Sequence, residues 1–472
     1  MEKYKIYSAG KFIETNQILD VKNPFNKEIF AQTYLAGEKE FEDSVNAAIE
    51  AKQLMKEMPS YKKYEILRYV SDAFYKEKER LATVLSMESG KPMRYAIGEI
   101  ERSAQTVLIA AEESKRIPKE YFSLDWTAAG KGKEALVKHF PIGLVGAIAP
   151  FNFPLNLAMH KVAPAIAAGN TVILKPARST PLSVLEFAKI IDQTDLPKGV
   201  LSVLPADRVV GNKIVTDTRF DMLSFTGSPE VGWEMKRNAG KKKIALELGG
   251  NAGVIVSEKA DIEKAVSKCL VGAYAYSGQV CIHVQRIYVQ KDIFDFFVKK
   301  FIEGTKLLKQ GNPLDSSTEI SVMIDEQNAV RVESWVNEAV SGGAKILFGG
   351  KRDGNYFEPT IITNTKPEMN VCFSEIFGPV VTIEKYETLE NAVKMVNDSQ
   401  YGLQAGIFSD SNKEINYAFE NINVGGVISN DIPTFRVDHM PYGGVKNSGF
   451  GREGIKYTIL EMTEARLLVR DF

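Results

Sequence analysis

Thiols are scarce in this chain. Cys269, Cys281 and Cys372 are the only three cysteines; they are widely spaced and never form a CxxC pair. An odd, scattered set argues against a disulfide framework and a cysteine zinc site, and it fits a reducing cytoplasm. An excess of charge is also missing: 59 Lys and Arg against 60 Asp and Glu leave a net −1. That balance gives no basic surface for nucleic acid or anionic lipid. A membrane span is not expected either. The longest weakly charged run, Pro141 to His160, holds three prolines and two asparagines and reads as a buried strand, a turn and a helix. The opening MEKYKIYSAGKFIE lacks the apolar core of a secretory leader. No internal repeat or low-complexity segment is visible.

What is present is an ordinary globular composition, 44% apolar and 25% charged, over 472 residues. That length suggests about three domains at roughly 150 residues each. The first 120 residues read mostly as long amphipathic helices, FEDSVNAAIEAKQLMKEM and YEILRYVSDAFYKEKERLATVLSMESG, with Gly90 as a C-cap. Short apolar strands then alternate with helices. GLVGAIAP, TVILKPA, GVLSVLP, DMLSFTG and KKIALELGG are the strands. This rhythm predicts βαβ units in a parallel sheet covered on both faces. A second α/β unit follows Asn251, with IYVQ, ILFGG and VVTIEKY as strands. The tail, KYTILEMTEARLLVRDF, ends in an exposed strand expected to complete a sheet with a partner subunit.

Several residues could carry chemistry, and each has a plainer reading. SFTGSPEVG lies where a strand meets a helix, so Gly227 and Ser228 either cradle a phosphate or simply cap the helix. Lys175 ends a strand at the edge where doubly wound sheets bind ligands, or it is a solvated lysine. Glu247, inside the apolar LELGG, is either a buried general base or half of an ion pair. Asn152 in PFNFP either donates to an oxyanion or caps a turn. Cys281 in SGQVCIHVQR is a nucleophile or a core thiol. His283 falls on the same strand face as Cys281, but a partner two residues along one strand has a poor approach to the thiol.

Together these pieces share one chemistry: a thiolate, an oxyanion donor, a dinucleotide turn and a carboxylate that activates water. PFNFP, ILKPA, FTGSPEVG, LELGG, GQVC, EIFGPV and PYGGVKNSGFGREG stand in that order along the chain. In them the sequence resembles the aldehyde dehydrogenase superfamily over essentially its whole length. The resemblance implies an α/β fold with a Rossmann-type dinucleotide domain (1–120 and 141–250), an α/β catalytic domain (251–445) and a small β oligomerisation element (121–140 and 446–472). It implies Cys281 as nucleophile, Glu247 as general base, and Asn152 with the Cys281 amide as oxyanion hole. Lys161 and Glu453 match positions proposed for proton relay. Lys175 and Glu375 match ribose contacts, Gly227 and Ser228 the pyrophosphate turn, and Phe377 and Thr226 the nicotinamide surroundings. Pro150, Phe151, Ala177, Arg178, Gly232 and Leu248 complete the expected cofactor contacts. No metal is implied, and a homodimer or homotetramer is.

Two features refine this. Arg178 stands three positions after Lys175, where NAD-preferring members often carry an acid, so the expectation leans to NADP over NAD. The loop NDIPTFRVDHM offers Arg436 and His439, and EIERSAQ offers Arg102, to a hydroxylated or anionic tail. This looks most like the branch of lactaldehyde, glyceraldehyde and sulfolactaldehyde dehydrogenases. Val280 stands before the nucleophile in place of the arginine that grips strongly anionic substrates in some members. A small 2-hydroxyaldehyde is therefore expected first, and an anionic semialdehyde second. Relatives that acylate coenzyme A typically lack the LELGG glutamate, and crystallin-like recruits lose catalytic residues; neither departure occurs here.

Overall fold

A computed structural model describes residues 2–472. The five predicted strands form the centre of an eight-stranded sheet. In spatial order they are Lys243–Glu247, Met222–Thr226, Leu144–Ile148, Thr171–Lys175 and Leu201–Val203, all parallel. Their runs are apolar and β-branched because helices cover both faces, and Leu144–Ile148 is buried at every position. Sequence order reverses between Leu144–Ile148 and Met222–Thr226. At such a switch point a crevice opens beyond the carboxyl ends of the strands.

The long helices are Glu38–Glu57, Ser60–Lys76, Lys78–Ser89 and Met93–Ser114. The second predicted helix is thus two, broken at Glu77, and Gly90 closes the latter in the left-handed conformation at φ 70°. The first residues depart from the helical expectation. Ile6–Ser8 and Lys11–Ile13 form a hairpin on the eight-stranded sheet, and Glu2–Lys3, Ile18–Lys22 and Ile29–Tyr34 form a sheet of their own. Helix Pro154–Ala168 is buried all round, packed on Met93–Ser114 and on the late helix Ile455–Glu461.

The second α/β unit has seven strands, centred on Val380–Tyr386, Arg286–Gln290 and Gly253–Val256, all parallel except the edge strand Lys345–Phe348. The terminal strand Thr463–Asp471 finds its first partner within its own chain: it runs antiparallel to Lys133–Pro141, with Lys119–Ser123 beyond. Of the 446–472 stretch, only Thr463–Asp471 joins this three-stranded sheet. Gly449–Phe450 pairs instead with Leu246 and Glu247 of the large sheet. That pairing brings the PYGGVKNSGFGREG segment against the Glu247 strand. Among the described residues, no helix is long and apolar enough to cross a membrane.

Candidate active site

A cavity of about 780 Å³ lies at the switch point, between the large sheet and the second unit. Pro150, Phe151, Asn152, Thr226, Gly227, Ser228, Glu247, Leu248, Cys281, Glu375 and Phe377 all line it. Six of the seven motifs thus contribute residues to one place, ILKPA being the exception. Asn152 is buried, and its Nδ2 donates to the Gln279 carbonyl at 3.1 Å. A primary amide has two N–H donors, so one remains for a reacting oxygen. Among the described residues, no protein group accepts the Cys281 N–H. Both donors belong to residues that line this cavity.

The Cys281 thiol is partly open to the cavity. Burial pushes its pKa up to about 11, while a hydrogen bond with Tyr442 and the Arg436 charge pull it down. The Tyr442 Oη lies 3.4 Å from Sγ. His283 has no part in this: its Nε2 meets the Ala273 carbonyl at 2.9 Å, and burial lowers its pKa to about 4. A Cys–His pair is ruled out by that contact.

Glu247 is buried, and its Oε2 has no hydrogen-bond partner. Burial, and then the charge of Glu453, raise its pKa; Arg436 and Lys161 act in the opposite direction. The ion-pair alternative therefore fails for Glu247 and holds for Glu453. Glu453 meets Lys161 at 3.2 Å and Arg436 at 3.0 Å, all three essentially buried. Burial opposes its ionisation, but Lys161, His160 and Arg436 outweigh that and hold the carboxyl at about 2.

The dinucleotide residues fit their ligand on several independent grounds. Ser228 occupies the N-cap of helix Pro229–Asn238, yet its hydroxyl makes no cap bond, which leaves it and the first helical amides free for a pyrophosphate. Thr226 Oγ1 is buried without a partner. A Cβ on Gly232 would stand 2.4 Å from Leu248 Cδ2, so glycine lets this helix approach the cavity wall. Glu375 accepts from the Gly250 amide at 3.2 Å, and burial pushes its pKa up to about 8. Phe377 holds a strained φ of 44° and sets its ring edge-on to Phe151 at 5.8 Å. Lys175 ends its strand largely buried, with an ammonium whose pKa is lowered by burial and by Arg178. Ala177 is half-buried beside it. Arg178 is exposed and lines a neighbouring hollow of about 330 Å³ with Glu88 and Asn355, outside the main cavity.

The expected substrate residues divide. Arg436 turns inward, stacked over the Tyr442 ring at 3.6 Å, with Nε buried and unpartnered. Arg102 pairs with Asp438 at 2.7 Å and lines a second cavity with Phe153 and Val280. His439 is a correction: it is exposed and lines none of these cavities, because its neighbour Asp438 takes the inward place. Asp438 bonds His160 Nε2 at 2.8 Å. His160, Asp438 and Tyr442 went unrecognised in the sequence. Tyr442 sits inside a quoted motif, and His160 precedes Lys161, so adjacency was the available signal.

The profile of the Aldehyde dehydrogenase family matches residues 12–468. A 3-sulfolactaldehyde dehydrogenase from Priestia aryabhattai is 44% identical over 472 residues, 99% of this chain and 98% of that one. Among solved structures, aldehyde dehydrogenase 21 from Physcomitrella patens in complex with the reaction product succinate superposes with a TM-score of 0.98 at 44% identity, covering 100% of this chain and 98% of that one. The glyceraldehyde-3-phosphate dehydrogenase GapN from Methanocaldococcus jannaschii, complexed with NADP, gives 0.93 at 38% identity, covering 97% of this chain and 100% of that one. The convergence of thiol, amide, carboxyl and dinucleotide cradle has the same meaning as these matches: the chain belongs to the aldehyde dehydrogenase family and is an NAD(P)-dependent aldehyde dehydrogenase.

Proposed function

We propose that the enzyme oxidises a small 2-hydroxyaldehyde to its carboxylic acid, with NADP preferred over NAD. The observation that carries the substrate reading is Arg436, buried beside the reacting groups with its Nε free. Glu453 already offsets the guanidinium charge, so what remains on offer is a directed donor suited to a hydroxyl. A second reading, an anionic tail, draws on Arg102 at the far cavity, although Asp438 already holds that cation.

In this mechanism the Cys281 thiolate attacks the aldehyde carbon, and the carbonyl oxygen sits between Asn152 Nδ2 and the Cys281 amide. Ser228, Lys175, Glu375 and the Phe151–Phe377 wall would hold the dinucleotide. When bound, its nicotinamide ring supplies the hydride acceptor that turns thiohemiacetal into thioester. Glu247 then takes a proton from water, whose oxygen attacks the thioester carbonyl and frees the acid and the thiolate. Lys161, paired with the fixed anion Glu453, stands behind it and steadies the field. Arg178, exposed next to Lys175, supplies the pairing partner for a 2′-phosphate.

Three free thiols support a reducing, cytoplasmic setting. The terminal strand shows Leu467, Leu468 and Val469 largely exposed along a sheet edge, which supports contact between copies in a dimer or tetramer. Reduced-cofactor absorbance over a panel of lactaldehyde, glyceraldehyde, sulfolactaldehyde, succinate semialdehyde and propanal, each with NAD and NADP, tests the reading. Preference for a neutral hydroxyaldehyde with NADP is expected. Preference for propanal with NAD would overturn the roles of Arg436 and Arg178.

A further inference from the structure

Lys91 and Glu99 form an ion pair that is completely buried, both side chains at 0% exposure. Neither belongs to the reacting set. Lys91 lies in the short turn between helices Lys78–Ser89 and Met93–Ser114, and Glu99 lies in the second turn of the second helix. Taking two charges out of water is expensive, and an apolar pair of similar volume often serves stability as well or better. The contacts of this pair point to another use.

Lys91 Nζ donates to the backbone carbonyl of Asn152 at 2.7 Å. Glu99 Oε1 accepts from the amides of Leu155 and Asn156 at 3.1 and 3.2 Å, at the start of helix Pro154–Ala168. The pair therefore grips the turn that carries Asn152 from both sides. The ammonium also sits between two rings, 3.9 Å from the centre of Phe153 and 4.5 Å from that of Tyr276. Tyr276 begins the segment leading to Cys281, and it and Ser277 both hold left-handed backbones, at φ 50° and 53°. Two non-glycine residues in that region need outside restraint. The Tyr276 hydroxyl donates to the Ser89 carbonyl at 3.0 Å, next to the Lys91 turn. The circuit closes where Asn152 Nδ2 donates to the carbonyl of Gln279, two residues before the thiol.

We propose that the buried Lys91–Glu99 pair is the positioning device of the oxyanion hole, fixing the Asn152 turn against the strained Tyr276–Cys281 segment so that the free Nδ2 hydrogen and the Cys281 amide converge on one oxygen. The inference rests on Asn152 as the oxyanion donor. Lys91 and Glu99 do not touch the substrate; they act through Asn152.

The test is a mutant cycle combining Lys91→Met with Glu99→Gln as one change and Asn152→Ala as the other. Methionine fills the lysine's channel between the rings, and glutamine keeps the acceptor for Leu155 and Asn156. With enzyme in excess over racemic glyceraldehyde and with NADP, the first-turnover rate of NADPH formation falls about 10- to 100-fold in the paired variant, the scale of a misplaced donor. Its melting temperature, NADP dissociation constant and rate of Cys281 alkylation by iodoacetamide stay near those of the parent. Added to Asn152→Ala, the paired change lowers the rate by no more than about twofold, because its target is already gone. A full, multiplicative loss on the Asn152→Ala background overturns the proposal, as does an unchanged first turnover in the folded paired variant. An unchanged first turnover in Asn152→Ala alone removes the oxyanion assignment itself, and the positioning role with it. If the paired variant does not fold, Glu99→Gln alone enters the same cycle and is judged by the same non-additivity.

Discussion

The cavity floor at Glu247 and the cluster just behind it at Glu453 hold the same functional group in opposite settings. Both carboxyls are buried. Glu247 has an oxygen with no partner and a raised pKa; Glu453 touches Lys161 and Arg436 and is held at about 2. Burial alone would push both upward, so pairing decides the difference. A carboxyl that can take a proton at working pH is a base, and one that cannot is a fixed anion. Each also shapes the other, because the Glu453 charge is part of what raises Glu247. When two titratable groups are driven apart in this way, their roles can be assigned.

The sharpest tests separate the thiol from the floor. Cys281→Ser is expected to lose both the first-turnover burst and steady turnover, by about 10³-fold or more, as for a missing nucleophile. Glu247→Gln should keep the burst while steady turnover falls about 10²- to 10⁴-fold, the range for a lost general base. Stopped-flow absorbance of reduced cofactor reads both; equal loss of burst and turnover in Glu247→Gln would end its assignment to deacylation alone. Glu453→Gln exchanges the two settings. It leaves Lys161 and Arg436 without their anion, so stability should fall by about 3–5 kcal/mol near neutral pH. The Glu453 pKa is depressed in the fold, so this contribution is full above the ordinary carboxyl pKa and disappears as pH falls toward about 2. Thermal melts across that range measure it. Meanwhile Glu247 loses a repelling neighbour, its pKa drops, and the rise of deacylation with pH moves to lower pH.

Local pattern made much of this visible. Continuous β-branched runs marked the five parallel strands, and the short motifs marked Asn152, Thr226, Glu247, Cys281, Glu375 and Phe377 of the main cavity but not Trp233, Arg331, Trp335 or Phe373 on its wall. What stayed hidden depends on partners far along the chain. His160 and Asp438 are 278 positions apart, and no periodicity links them. The sign of the Glu453 shift needs the identities of Lys161, His160 and Arg436 around it, which only folding supplies. His439 was misplaced for the same reason: which of two adjacent loop residues turns inward depends on His160 and Arg102 waiting for Asp438. The break at Glu77 and the N-terminal strands were missed because amphipathic spacing continues across a one-residue kink and short edge strands carry little pattern.

The smallest expected effect lies at the join between the two settings. Arg436 is paired to Glu453 on one side and covers the Tyr442 ring on the other, and the Tyr442 hydroxyl reaches the Cys281 sulfur. Burial raises the pKa of Tyr442, so its hydroxyl stays protonated and donates to the thiolate. Tyr442→Phe keeps the ring and the stacked arginine and removes only that donor. The thiol pKa, already pushed up to about 11 by burial, should rise further. At fixed pH the thiolate fraction, and with it alkylation by iodoacetamide, should then drop about two- to tenfold, the worth of one modest hydrogen bond. An unchanged alkylation profile would mean that the Arg436 charge alone lowers the thiol pKa, so that the cluster around Glu453 governs the nucleophile as well as the base.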